Sequence, residues 1–116
     1  MKTLFKLFEE MGYKEAEGFF RQGSLSTENY PASFFTFWNV DTPQDAHYDN
    51  DLHRFNEYVQ VGFYTNDAEK IYSVMEDFIE RARAKGFTIA AMPHDADAGK
   101  DNYFGRVCFI RISNKN

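Results

Sequence analysis

The sequence predicts a small α+β domain: a mostly antiparallel sheet of about five strands with two helices packed on it, in the order helix, three strands, helix, two strands. Three observations predict it. In residues 66–86 the apolar side chains Ile71, Val74, Met75, Phe78, Ile79 and Ala82 recur at helical spacing and form one stripe of a 3.6-residue helix. Residues 57–65 alternate, with Val59, Val61 and Phe63 on one side and Tyr58, Gln60, Gly62 and Tyr64 on the other, as a half-buried strand does. Residues 34–40, FFTFWNV, are apolar on both sides, which implies a strand covered on each face by another layer or another subunit.

The major helix carries its own end signals. Asn66 stands where an N-cap would accept a backbone hydrogen bond, and Glu69 follows at the capping-box position. Asp67 and Glu69 lead the helix, while Arg81, Arg83 and Lys85 close it, as the helix dipole favours. Gly86 can take the left-handed conformation that stops it.

The remaining elements follow in order. Residues 3–11 predict a short first helix, with Leu4, Phe5, Phe8 and Met11 on one face and Gly12 behind it. Gly18 and Gly23 argue against a long helix next, so a short strand is expected near 19–25. A polar connector leads to the aromatic strand at 34–40, and residues 41–56 read as a polar loop longer than a hairpin needs. After the major helix come a strand at 87–92, a turn-rich connector at 93–102, a last strand at 103–112 and a polar tail at 113–116.

A chain of 116 residues is one domain, 1–116, with room for a single core. Aromatic residues make up 18% of it, including 13 Phe and 7 Tyr. Either some of those rings lie at a surface that assembly covers, or Phe fills the core with Tyr at its margin. A net charge of −5 argues against gripping a nucleic-acid backbone over an extended face. The lone Cys108 excludes an intrachain disulfide and fits a reducing compartment. Residues 1–11 do not read as a signal peptide, and no apolar run reaches membrane-spanning length. A soluble protein made in a cytoplasm is expected.

Motifs for chemistry are weak. His47 and His53 share a loop with Asp41, Asp45, Asp49 and Asp51, and these are divalent-metal ligand types. Their spacing matches no pattern that a helix would hold, so a solvated loop is the plainer reading. Asp95, Asp97 and Asp101 flank Gly99 but put Lys100 and Arg106 where a calcium loop needs Gly and Glu. A turn is expected there. Cys108, between Val107 and Phe109 in a strand, reads as a small hydrophobe. No phosphate-binding glycine motif is present. Neither a catalytic residue nor a cofactor is expected. Arg106 and Arg111 differ in parity and should point to opposite faces of the last strand, with one at a margin or paired with an acid.

The segments FFRQGSL (19–25), YPASFFTFWNVDTPQDAHYDND (30–51) and YVQVGFYTNDAEKIYSVMEDFIERARAKGF (58–87) resemble small phage and prophage proteins of Gram-positive bacteria similar to the tail-completion, or tail-terminator, group. The resemblance runs from about Phe19 to Ile112, with FRQGSL followed by FFTFWN as its more specific part. It implies a small sheet with helices packed against it and a virion structural protein without catalysis. Such proteins form a homo-oligomeric ring, commonly a hexamer, on the head-proximal end of a tail tube. Tail-tube and head–tail connector proteins are the implied partners, with DNA passing through without specific binding and no membrane. The implied location is the virion tail or neck, assembled in the bacterial cytoplasm. No residue role is carried over. An acidic ring would repel phosphate and let DNA slide.

Phe35, Phe37, His47, Tyr48, His53, Tyr58 and Tyr64 are the candidate oligomer or partner interface. The alternative is a small ferredoxin-like ligand-binding or regulatory domain with the aromatic strand as a pocket floor. A third reading, a metal-dependent enzyme on His47, His53 and the nearby aspartates, has only the loop composition behind it.

Overall fold

The computed structural model describes residues 2–40 and 54–115. The element order is α1 (Lys2–Glu10), β1 (Phe19–Arg21), β2 (Ser33–Val40), β3 (Arg54–Thr65), α2 (Lys70–Ala84), β4 (Thr88–Ala96) and β5 (Phe104–Lys115), with one 3₁₀ turn at Thr27–Asn29. The fold is α+β, and one five-stranded sheet runs β1-β2-β3-β5-β4. That sheet is mixed, which corrects the expected mostly antiparallel one. β1 runs parallel to β2, while β2–β3, β3–β5 and β4–β5 are antiparallel. The parallel pair arises because residues 22–32 cross over instead of turning back as a hairpin.

Both helices pack on one face. The Phe8 ring of α1 stacks 4.8 Å from Phe35 of β2, and Phe78 of α2 lies 5.6 Å from the same ring. Around them Val59, Val61, Phe63, Cys108, Ile110 and Ile112 close the core. The α2 stripe is the predicted one: Ile71, Met75, Phe78, Ile79 and Ala82 are buried, with Val74 packed at its margin. On α1 the sequence reading missed Leu7, which is fully buried beside Leu4 and Phe8.

The start of α2 differs from expectation. The helix begins at Lys70, and Asn66 does not cap it; its backbone N–H instead donates to the Ala32 carbonyl. Capping passes to a local turn in which Thr65 Oγ1 accepts the Asp67 N–H and Asp67 Oδ1 accepts the Glu69 N–H. Glu69 makes no side-chain cap bond. At the other end Gly86, at φ +93°, stops the helix as predicted.

Strand lengths shift for identifiable reasons. β1 ends at Arg21, where Ser24 Oγ donates to the Arg21 carbonyl and turns the chain. β4 runs through Pro93 to Ala96, well into the expected connector. Pro93 is tolerated because β4 is an edge strand, and register shifts break its pairing near that residue. Residues 113–115 extend β5 against 54–56 of β3, so these two stretches are strand and not tail or loop. Among the described residues no helix is long and apolar enough to cross a membrane.

Candidate interaction surfaces

Alternation and register place Phe34, Thr36, Trp38 and Val40 on the sheet face away from the helices. One half of that face is roofed by the β1–β2 crossover and the β4–β5 connection. The Tyr30 ring lies 4.9 Å from Phe34 and 5.4 Å from Tyr103. Tyr30 donates its hydroxyl to the Ala98 carbonyl at 3.0 Å, and Tyr103 donates to Pro31 at 2.8 Å. Lys100 adds a tie, its Nζ donating to the Thr27 carbonyl at 2.7 Å above both tyrosine rings.

Under this roof is a hollow of about 200 Å³ whose lining includes Tyr30, Phe34, Thr36, Tyr64 and Asp97. Burial pushes the Tyr64 phenol up, the neighbouring Thr36 hydroxyl offsets part of that rise, and Tyr30 and Asp97 add to it. The Thr36 hydroxyl is buried beside Tyr64, and among the described residues it has no partner at full hydrogen-bond geometry. The roof ends short of Trp38, which is 41% exposed.

The predicted interface set is dispersed. Phe35 is fully buried beneath the helices, which corrects its assignment as an interface residue; the helix layer already covers it. Phe37 is on the same face, packed against Phe5 of α1 at 5.0 Å. Tyr58 and Tyr64 share the opposite face, Tyr64 under the roof and Tyr58 three rows away beside Val40. His47, Tyr48 and His53 lie outside the described residues.

The arginines of the last strand diverge as their parity requires. Arg106 faces the helices, where Nη1 lies 2.7 Å from Asp95 Oδ1 and Nη2 donates to the Pro93 carbonyl. Its guanidinium carbon stands 4.9 Å from the Tyr72 ring centroid. Arg111 reaches Thr88 on the other side. Asp97 Oδ1 accepts the Gly99 N–H, making the turn expected around Gly99. Cys108 is fully enclosed, and burial pushes its thiol up to about 12, a state unsuited to nucleophilic attack.

Sequence reasoning missed a second surface. Tyr72, Met92 and Phe104 are exposed at 53%, 58% and 44%, and they line the side of the molecule where α2 meets β4. One signal was available for Tyr72: it is a large ring outside the buried stripe of α2. Met92 and Phe104 sit at strand positions whose exposure only the sheet order reveals.

No known family model matches the chain, and no curated protein matches it.

Proposed function

We propose that the chain is a phage or prophage virion structural protein, a tail-completion or terminator subunit that assembles into a ring at the head–tail junction without catalysis. The observation that carries this reading is an open sheet with large apolar side chains exposed towards both edges: Trp38 on one side, and Tyr72, Met92 and Phe104 on the other. Apolar surface of this kind gains stability when a partner covers it. A ring of head-to-tail subunits covers two different surfaces of every copy, as an isologous dimer does not. The net charge of −5 suits a wall past which DNA slides. The motifs resembling the tail-completion group give the partners, the tail tube and the head–tail connector.

Mass by light scattering, over a range of concentrations and with tail-tube protein added, tests the reading. The expected result is a defined multiple of the 13.6 kDa chain or association with tube ends. A strict monomer that never binds the tube would refute it.

A second reading has a specific observation behind it: the hollow floored by Phe34, Thr36 and Tyr64 is the pocket that a small ligand-binding or regulatory domain would use. A thermal-shift screen of small polar aromatics should then raise the melting temperature. No stabilisation by any compound would remove that reading.

A further inference from the structure

The two exposed apolar surfaces differ in charge, and in a complementary sense. Where α2 meets the edge strand β4, a hollow of about 330 Å³ is lined by Ile79, Met92, Pro93 and Arg106, with Glu76 and Glu80 exposed on its wall. Beyond the Tyr72–Arg106 stack lies a second hollow of about 240 Å³, lined by Asp95, Asp97 and Phe104 among others. Two cations stand near. Arg106 is occupied by Asp95, and Arg83 rests 3.7 Å from the Met92 sulfur. Glu76 and Glu80 have no cation among the residues lining their hollow except Arg106. The groove is apolar on its floor, and Glu76 and Glu80 are the acids of its wall.

The other sheet edge is the opposite. The Arg21 guanidinium lies 5.4 Å from the Trp38 ring centroid, and both residues are exposed. The N-terminal half of α1 covers the same edge, since Phe5 packs on Phe19 and Phe37. Lys2 and Lys6 are exposed on that helix, and Glu15 and Glu17 are exposed where the chain enters β1. β1 pairs only with Phe35, Thr36 and Phe37, so among the described residues Trp38 has no strand beyond it.

We infer that the Trp38–Arg21 corner of one copy docks into the α2–β4 groove of a second copy, the indole against Met92 and Pro93 and the guanidinium towards Glu76 and Glu80. This rests on the ring-assembly reading and names its two surfaces. They lie towards opposite edges of one sheet, so the contact is heterologous and repeats from copy to copy. Side-chain docking is favoured over strand addition at β4, because Pro93 and the broken register remove the regular donor row that an added strand needs. Charge complementarity sets the direction of docking.

The test uses light scattering on the full chain, with circular dichroism to confirm the fold. Wild type is expected at a multiple of 13.6 kDa, and Trp38→Ala and Met92→Glu each at the mass of one chain. Each variant keeps one intact surface, so their equimolar mixture should give a dimer and stop there. Arg21→Glu should also be monomeric, and adding Glu76→Arg with Glu80→Arg in the same chain should restore assembly. An assembled wild type whose folded variants keep the wild-type mass overturns the inference and leaves the ring reading standing. A mixture that stays monomeric overturns the heterologous pairing. A wild type that is monomeric under every condition removes both.

Discussion

The Tyr64 ring occupies the space above its cross-strand partner Gly105: a β-carbon at Gly105 would stand 2.7 Å from Tyr64 Cε1. The Ala96 carbonyl oxygen would be 2.9 Å away on another side. A β-carbon at Gly62 would meet the far edge of the same ring at 3.0 Å. The two glycines leave the space that lets one aromatic ring lie against the backbone of two strands.

Gly105→Ala should therefore destabilise the fold by about 1–3 kcal/mol, the usual range for overpacking where backbone also blocks the new atom. Urea unfolding would show a lower midpoint at an unchanged slope. A wild-type midpoint would mean that the Tyr64 ring moves aside freely.

Met75 is 1% exposed in the middle of the α2 stripe. Met75→Asp places a carboxylate in that apolar layer and should unfold the protein. Met75→Ala is the milder control, with an expected loss of about 2–5 kcal/mol. Native circular dichroism and an unshifted melting curve for the aspartate variant would contradict the packing described.

Stability should fall in alkali through Cys108. Its thiol rises from an ordinary 9.0 to about 12 on folding, so the folded state holds its proton more tightly than the unfolded state. This contribution is fully present below pH 9 and is lost as the pH climbs towards 12, at about 1.4 kcal/mol per pH unit. Tyr13 and Tyr64, both raised above 10.0 by burial, act in the same direction at higher pH. The difference between wild type and Cys108→Ala, measured between pH 9 and pH 10, isolates the thiol. Cys108→Ala should flatten the dependence in that interval, and an unchanged slope would assign it elsewhere. At neutral pH a thiol reagent should label the protein only as fast as it unfolds.

Tyr103 holds the crossover down through its hydroxyl, which donates to the Pro31 carbonyl at 2.8 Å and lies 3.2 Å from that of Tyr30. Tyr103→Phe should cost about 0.5–1.5 kcal/mol and speed proteolysis within residues 22–32. Equal cleavage rates in the two proteins would show that Lys100 and Tyr30 suffice to hold the roof.

The parts of the fold legible in the sequence are those governed by one segment's own periodicity. The α2 stripe, the alternation of β3, the opposed directions of Arg106 and Arg111, and the burial of Cys108 all follow from helical or strand spacing. The start of α2 was not legible. Asn66 has a capping residue's chemistry, but pairing of its N–H with Ala32 holds it in the sheet region and passes the cap to Asp67. The burial of the β2 aromatics was half legible. Aromatic content marked β2, but Phe35 and Trp38 differ in burial because the helices cover one face and the roof stops short on the other.

By itself the sequence determined the class of domain, the number and kind of its elements, and the inward side chains of α2 and β3. Local backbone geometry repeats along a segment, and side-chain direction repeats with it. Only the tertiary structure decided that β1 lies parallel to β2, that β4 runs through Pro93 at an edge, and that Tyr72, Met92 and Phe104 share one side. Those facts depend on which strand neighbours which, and that order is settled by a crossover and by contacts far apart in the chain. Periodicity within a segment carries no record of them.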